Sequence, residues 1–209
     1  MQAWPGSALD DPPVIAAMAR CAQDNGARAV RIEGEANIMA VVKRVDVPII
    51  GLIKRSYDGF EPYITPTTQE VARVIDAGAR IVAFDATSRA RPRGERVCDL
   101  TAAVHQRGAI SMADCADFSD GVSACAVGVH AVATTLASYT KETQGRRIPA
   151  LDLVEQLKTL ERFVVCEGGV KVPHQVRAAL QAGADSVVVG TAITNIDWLV
   201  QQFAAAVQE

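Results

Sequence analysis

Five times along the chain a helical stretch runs into a glycine, then a small or apolar residue, then a β-branched run. The phrase reads Asn25-Gly26-Ala27-Arg28-Ala29-Val30, Ala77-Gly78-Ala79-Arg80-Ile81-Val82, Arg107-Gly108-Ala109-Ile110, Val127-Gly128-Val129-His130-Ala131-Val132 and Ala182-Gly183-Ala184-Asp185-Ser186-Val187. Each glycine stands where a left-handed residue stops a helix and releases the chain into a strand. The spacings are near 26 residues or multiples of it, with a shorter unit between Gly108 and Gly128. Repeated βα units of this kind predict a parallel sheet. Strands are expected to end near Gln2, Glu33, Lys54, Asp85, Asp114, Thr134, Glu167 and Gly190, with helices over roughly 12–24, 35–45, 67–77, 95–107, 116–126, 150–161, 173–182 and 196–206. Eight such units predict a single (β/α)8 TIM barrel over residues 1–209, with its active site at the carboxyl ends of the strands.

The run Phe163-Val164-Val165-Cys166-Glu167-Gly168-Gly169 anchors this reading. An apolar run cut off by glycine is what a strand buried on both faces looks like. A carboxylate at its end makes sense where the strand opens into a ligand crevice, and two glycines there let backbone approach an anion.

Length and composition narrow the class. A chain of 209 residues, 49% hydrophobic, is long enough for one well-buried α/β domain. Its net charge of −3 gives no reason to expect nucleic acid or an anionic membrane as partner. Cys21, Cys98, Cys115, Cys125 and Cys166 are scattered, so neither a disulfide framework nor a zinc site is indicated and a cytoplasmic setting fits. No apolar run approaches the roughly 20 residues of a membrane span, and the start has neither a basic nor an apolar leader segment.

In a barrel, matching positions on alternate strands share a layer. By that count Gln2, Lys54, Asp114 and Glu167 fall in one layer at the mouth, with Lys54 and Glu167 on opposite sides of whatever binds. Two such groups can take a proton from one face of a carbon and return one at the other. The plain alternatives are a Lys54 that snorkels to water and an Asp114 that caps the following helix. Gly168-Gly169 and Gly190-Thr191-Ala192 lie in the two loops that form the usual phosphate cradle of this fold. Arg31 is a candidate substrate clamp or one half of a buried pair with Glu33. Asp85 either holds a hydroxyl or caps a turn. His105, His130 and His174 receive no catalytic role, and Trp4 and Trp198 read as packing residues.

Several stretches together carry a family resemblance. They are Gln2-Ala3 with Pro5-Gly6, Gly26 to Arg31, Val47-Pro48-Ile49-Ile50-Gly51-Leu52-Ile53-Lys54, Phe84-Asp85-Ala86-Thr87, Met112-Ala113-Asp114, Thr134-Thr135-Leu136 with Tyr139-Thr140, Glu167-Gly168, and Val187 to Gly190 with Ala192-Ile193-Thr194. Over essentially the whole chain the sequence resembles the N-acetylmannosamine-6-phosphate 2-epimerases. The resemblance implies a barrel of the ribulose-phosphate-binding type and a cofactor-independent, metal-free isomerase of amino sugar and sialic acid catabolism. It implies Lys54 and Glu167 as the catalytic pair, and Gln2, Arg31, Asp114 and Thr134 as contacts to an amino sugar phosphate.

The chain departs from that pattern in two places. The family carries more strand ahead of Gln2, with a Cys immediately before it, so a short first strand is expected here. The family also tends to have Arg-Pro where this chain has Asn195-Ile196, and Gly where it has Thr191; a charged hydrogen bond lost from the phosphate side is worth about 1.5–3 kcal/mol. A short first strand and a ring of barrel helices are compatible with a homodimer. Two rival readings share the same residues: a class I aldolase or lyase using Lys54 as Schiff-base nucleophile, and a non-catalytic sugar-phosphate-binding barrel.

Overall fold

The computed structural model describes Ala3 and residues 6–207. Seven strands form one parallel sheet in sequence order: β1 (Val30–Glu33), β2 (Ile49–Leu52), β3 (Ile81–Asp85), β4 (Ile110–Asp114), β5 (Ala131–Ala133), β6 (Phe163–Glu167) and β7 (Ser186–Val188). Helices α1 (Pro12–Asp24), α2 (Glu35–Val42), α3 (Thr68–Asp76), α4 (Val97–Gln106), α5 (Phe118–Ala126), α6 (Leu151–Lys158), α7 (Pro173–Gln181), α8 (Thr191–Thr194) and α9 (Ile196–Ala205) alternate with them. The helices start and stop within about three residues of expectation, because their caps are local; Thr67, for example, accepts a hydrogen bond from Gln69 N–H at the head of α3.

The sheet is curled almost into a closed ring. Neighbouring strands lie about 4.8 Å apart, so β1 and β6 in a flat sheet would be more than 20 Å from one another. Yet Arg31 of β1 reaches Glu167 of β6 at 3.0 Å. Among the described residues the two ends of the ring are β1 and β7. The strand expected to end near Gln2, and Gln2 itself, lie outside the described residues, as does Trp4; Ala3 packs on the outer core.

Alternation along the strands sorts residues into two cores. Ile32, Val82, Phe84, Ala113, Val132, Val164 and Cys166 face the helices. Ile50, Leu52, Ala83, Met112, Ala131, Ala133 and Val165 fill the barrel interior. Gly51 sits on the outward face because a Cβ there would come within 2.6 Å of Ala79 and 2.7 Å of Val74. The same parity aims Arg31, Glu33, Asp85, Asp114 and Glu167 inward at the carboxyl ends.

Three strand ends differ from expectation. β2 stops at Leu52, and Lys54 lies beyond it in an isolated antiparallel bridge with Ile64, so the chain doubles back after the barrel wall. β5 stops at Ala133, one residue before Thr134, and β7 at Val188, two before Gly190. After β2, Ile53 N–H donates to the Thr65 hydroxyl, and after β5, Thr134 N–H donates to Val165 O at the neighbouring strand.

Candidate active site

The mouth is built around a buried ionic triad. Arg31 holds Asp114 with two hydrogen bonds, Nη1 to Oδ1 at 3.1 Å and Nη2 to Oδ2 at 2.6 Å. Its Nη1 also stands 3.0 Å from Glu167 Oε2. Side-chain exposure is 8% for Arg31, 0% for Asp114 and 16% for Glu167. Asp114 is therefore no helix cap; the N-cap of α5 is Asp117, which accepts from Asp120 N–H. Nor does Arg31 pair with Glu33, its neighbour on the strand, whose Oε1 instead accepts from Lys54 N–H at 3.2 Å.

The sharing is unequal. Nη1 lies near both carboxylates but hydrogen-bonds Asp114 Oδ1 and contacts Met112 Sδ at 4.0 Å, and among the described residues Glu167 Oε2 is buried without a hydrogen-bond donor. Burial raises the Glu167 pKa to about 7, against the attraction of Arg31 and helped by the negative charge of Asp114. A carboxyl poised there can both accept and return a proton near neutral pH. Arg31 itself stays charged: burial opposes its charge, but Asp114 and Glu167 more than offset that and push its pKa up.

Lys54 approaches from the other side. It is exposed at the rim, with its Nζ over the Tyr63 ring at 5.9 Å. Desolvation lowers its pKa, Glu33 opposing and Arg31 adding to the shift; Glu167 and Asp114 also act on it. The amine and the Glu167 carboxyl thus open onto one mouth. The main chain behind Lys54 is fixed by Thr65, whose hydroxyl accepts from Ile53 N–H at 3.2 Å and donates to Ala83 O at 2.7 Å. Tyr63 is a site residue that the sequence pattern did not single out. Burial first, then Asp114 and Asp85, raise its phenol pKa.

The consecutive threonines after β5 divide between two jobs. Thr134 is fully buried and its hydroxyl is held by the backbone of Glu167, donating to the carbonyl at 2.8 Å and accepting from N–H at 3.0 Å. Thr135, absent from the expected contacts, donates to Asp114 Oδ1 at 2.6 Å. The signal that could have found it is parity: Ala131 and Ala133 point inward, so Thr135 does too.

On the anion side, Gly168 and Gly169 have φ of +102° and +74°, left-handed values at which other residues are strained, and a Cβ on Gly169 would meet Ile148 at 2.5 Å. Gly190 is the N-cap of the short helix Thr191–Thr194, so the N–H groups of Thr191 and Ala192 stand in its first turn. Asn195, where the family tends to have Arg, caps α9 by accepting from Trp198 N–H at 2.9 Å. Asp85 caps its own turn: Oδ1 accepts from Thr87 N–H and hydroxyl, and the carboxylate pairs with Arg89 and Arg91. Those arginines brace the loop after β3.

A nearly closed parallel βα barrel with ionisable side chains gathered at its carboxyl mouth is the class this geometry defines. The family model "NanE: Putative N-acetylmannosamine-6-phosphate epimerase" matches residues 15–209, and the chain belongs to that family. A protein of Clostridium perfringens named "Putative N-acetylmannosamine-6-phosphate 2-epimerase" is 39% identical over 202 residues, covering 94% of this chain and 91% of that one. One of the same name from Edwardsiella ictaluri is 42% identical over 208 residues, covering 99% and 87%. A solved structure of the N-acetylmannosamine-6-phosphate 2-epimerase from Clostridium perfringens is similar at a TM-score of 0.94, with 37% identity over 98% of this chain and 90% of that one.

Proposed function

We propose that this chain is a cofactor-independent isomerase that interconverts N-acetylmannosamine 6-phosphate and N-acetylglucosamine 6-phosphate in amino sugar catabolism, with Lys54 and Glu167 as its proton-transfer groups. Membership of the epimerase family supports the reaction type. The observation that carries the residue assignment is the pairing of a buried carboxyl raised to about pH 7 with an amine whose pKa is lowered, both at one mouth.

The chemistry follows from the substrate. In the closed ring, carbon 2 bears an inert C–H. Opening to the aldehyde places that hydrogen α to a carbonyl, where its removal leaves an enolate. One of the two groups takes the proton, and a proton returned to the opposite face of carbon 2 gives the epimer. Negative charge building on the carbonyl oxygen is offset by cationic Lys54 or Arg31. Arg31 and Asp114, with Gln2 expected beside them, contact the sugar; Gly168, Gly169, Gly190, Thr191 and Ala192 hold the phosphate through backbone N–H groups. Thr134 we assign to holding the Glu167 backbone rather than the sugar. Cytoplasmic location and a homodimer belong to the same reading.

The decisive measurement is NMR of N-acetylmannosamine 6-phosphate with the protein in deuterated water. Growth of the gluco isomer carrying deuterium at carbon 2 is expected. Binding without exchange at carbon 2 would instead support a sugar-phosphate-binding barrel, and borohydride trapping of substrate on Lys54 would support the aldolase reading.

A further inference from the structure

Arg31 has two carboxylates within reach and bonds them unequally, and something in the mouth sets that preference. Asp114 Oδ1 receives Arg31 Nη1 at 3.1 Å and the Thr135 hydroxyl at 2.6 Å, while Asp114 Oδ2 receives Nη2 at 2.6 Å. The Thr135 hydroxyl is therefore the donor that, with Arg31, fixes the Asp114 carboxylate in the plane where it takes one hydrogen from each of Nη1 and Nη2. A carboxylate held by three charge-assisted donors is an orienting partner for a fork-shaped cation. A further Nη1 contact runs to Met112 Sδ at 4.0 Å, and among the described residues Glu167 Oε2, 3.0 Å from the same Nη1, is left buried without a donor. Thr135 also stands near enough to Glu167 to donate to it, but a hydroxyl has one hydrogen, and at 2.6 Å that hydrogen belongs to Asp114.

We propose that Thr135 is a positioning residue of this reaction: its hydroxyl holds the Asp114 carboxylate so that Arg31 directs one hydrogen from each of Nη1 and Nη2 to Asp114 and leaves Glu167 Oε2 open to a proton. Without the hydroxyl, Asp114 Oδ1 loses a donor and its carboxylate can rotate. The Nη1 hydrogen then turns the short way to Glu167 Oε2, a new charge-assisted bond stabilises the ionised carboxylate, and the carboxyl becomes a weaker base. Among the described residues the groups that act on Glu167 are Arg31 from β1, Asp114 from β4 and the Thr135 hydroxyl, with Lys54 beyond β2. Of these, Arg31 is the one whose hydrogen bonding the Thr135 hydroxyl controls through Asp114. The inference rests on Glu167 being a proton-transfer group, as proposed above.

The test uses Thr135→Val and Thr135→Ala, which remove the hydroxyl with and without its volume, and Thr135→Ser, which restores it. Two quantities are read for each: the pH profile of kcat and KM for epimerisation, and the titration of the Glu167 side-chain carboxyl by 13C NMR in glutamate-labelled protein without substrate. Val and Ala should lower kcat about 10- to 100-fold with KM within about twofold. The acid limb of kcat/KM and the 13C titration of Glu167 should both move to lower pH, and Ser should return both to the wild-type position. A 13C titration of Glu167 that both Val and Ala leave unmoved, or move to higher pH as loss of a direct Thr135 donor would, overturns the inference, as does a Ser variant that titrates like Val while melting like wild type. The underlying reading fails separately, if Glu167→Gln keeps wild-type activity; the 13C readout still judges Thr135 in that event.

Discussion

The two ends of the barrel treat buried polar groups in opposite ways. At the amino end of β4 and β5, Ser111 is fully buried and its polar atoms are met: the hydroxyl lies 3.0 Å from His105 Nε2 and 2.9 Å from His130 Nδ1, accepts from His130 N–H at 3.1 Å, and its own N–H reaches His130 Nδ1 at 3.1 Å. Nearby, Asp185 accepts from Val164 N–H and pairs with Lys158. At the carboxyl end, three ionisable groups crowd the interior and, among the described residues, one carboxylate oxygen has no hydrogen-bond donor. The satisfied end stabilises the barrel, while at the mouth the incompletely bonded Glu167 carboxyl holds its proton to higher pH.

This contrast can be broken by mutation. The largest effect is expected at the proposed proton-transfer groups: Lys54→Ala and Glu167→Gln should each lower kcat by about 10²–10⁴-fold, read as loss of deuterium incorporation at carbon 2. Next, Arg31→Met leaves Asp114 charged, buried and unpaired, which should destabilise the fold by about 3–5 kcal/mol, measured by urea denaturation at pH 7.

A smaller effect has a defined pH window. Glu167 has a folded pKa of about 7 against 4.5 when unfolded, so the folded state binds its proton more tightly. The stability this contributes is complete below about pH 4.5 and is lost as pH rises through 7. Glu167→Gln should therefore gain on wild type above pH 7, by up to about 3 kcal/mol before discounting for coupling to Arg31 and Asp114, and the gain should vanish near pH 5. Thermal melts of both proteins at pH 5 and pH 8 check this; a gain as large at pH 5 as at pH 8 would contradict it.

The smallest effect belongs to the other end. Ser111→Ala strips partners from the His130 ring and backbone, and should lower stability by about 1–2 kcal/mol with kcat unchanged. His130 has its pKa lowered by burial first, then by His105 and Arg162, so the stability that it contributes is present at neutral pH and lost as pH falls below the ordinary histidine range. The difference in melting temperature between wild type and Ser111→Ala, in which the Glu167 contribution cancels, should be larger at pH 7 than at pH 5 and would sharpen the comparison.

What the sequence determined by itself was whatever is local. The glycine-stopped helices at Gly26, Gly78, Gly108, Gly128 and Gly183 all have the left-handed φ that the pattern requires, and β-branched runs follow each. The repeat implied a parallel barrel, and the strand ends at Glu33, Asp85, Asp114 and Glu167 were legible as its mouth. The layer count set Lys54 and Glu167 across one mouth, and the family resemblance implied them as the catalytic pair. Tertiary structure alone decided how the mouth is wired, since that depends on which side chains meet across strands distant in sequence. Residue 31 and residue 167 are brought within 3.0 Å only because the sheet curls. The choice between Thr134 and Thr135 turned on pleat parity carried one step past the end of β5, and the fate of Asn195 on whether its carbonyl oxygen met a backbone N–H. Such outcomes follow from distances of a few ångströms between separate elements, which no spacing along the chain encodes.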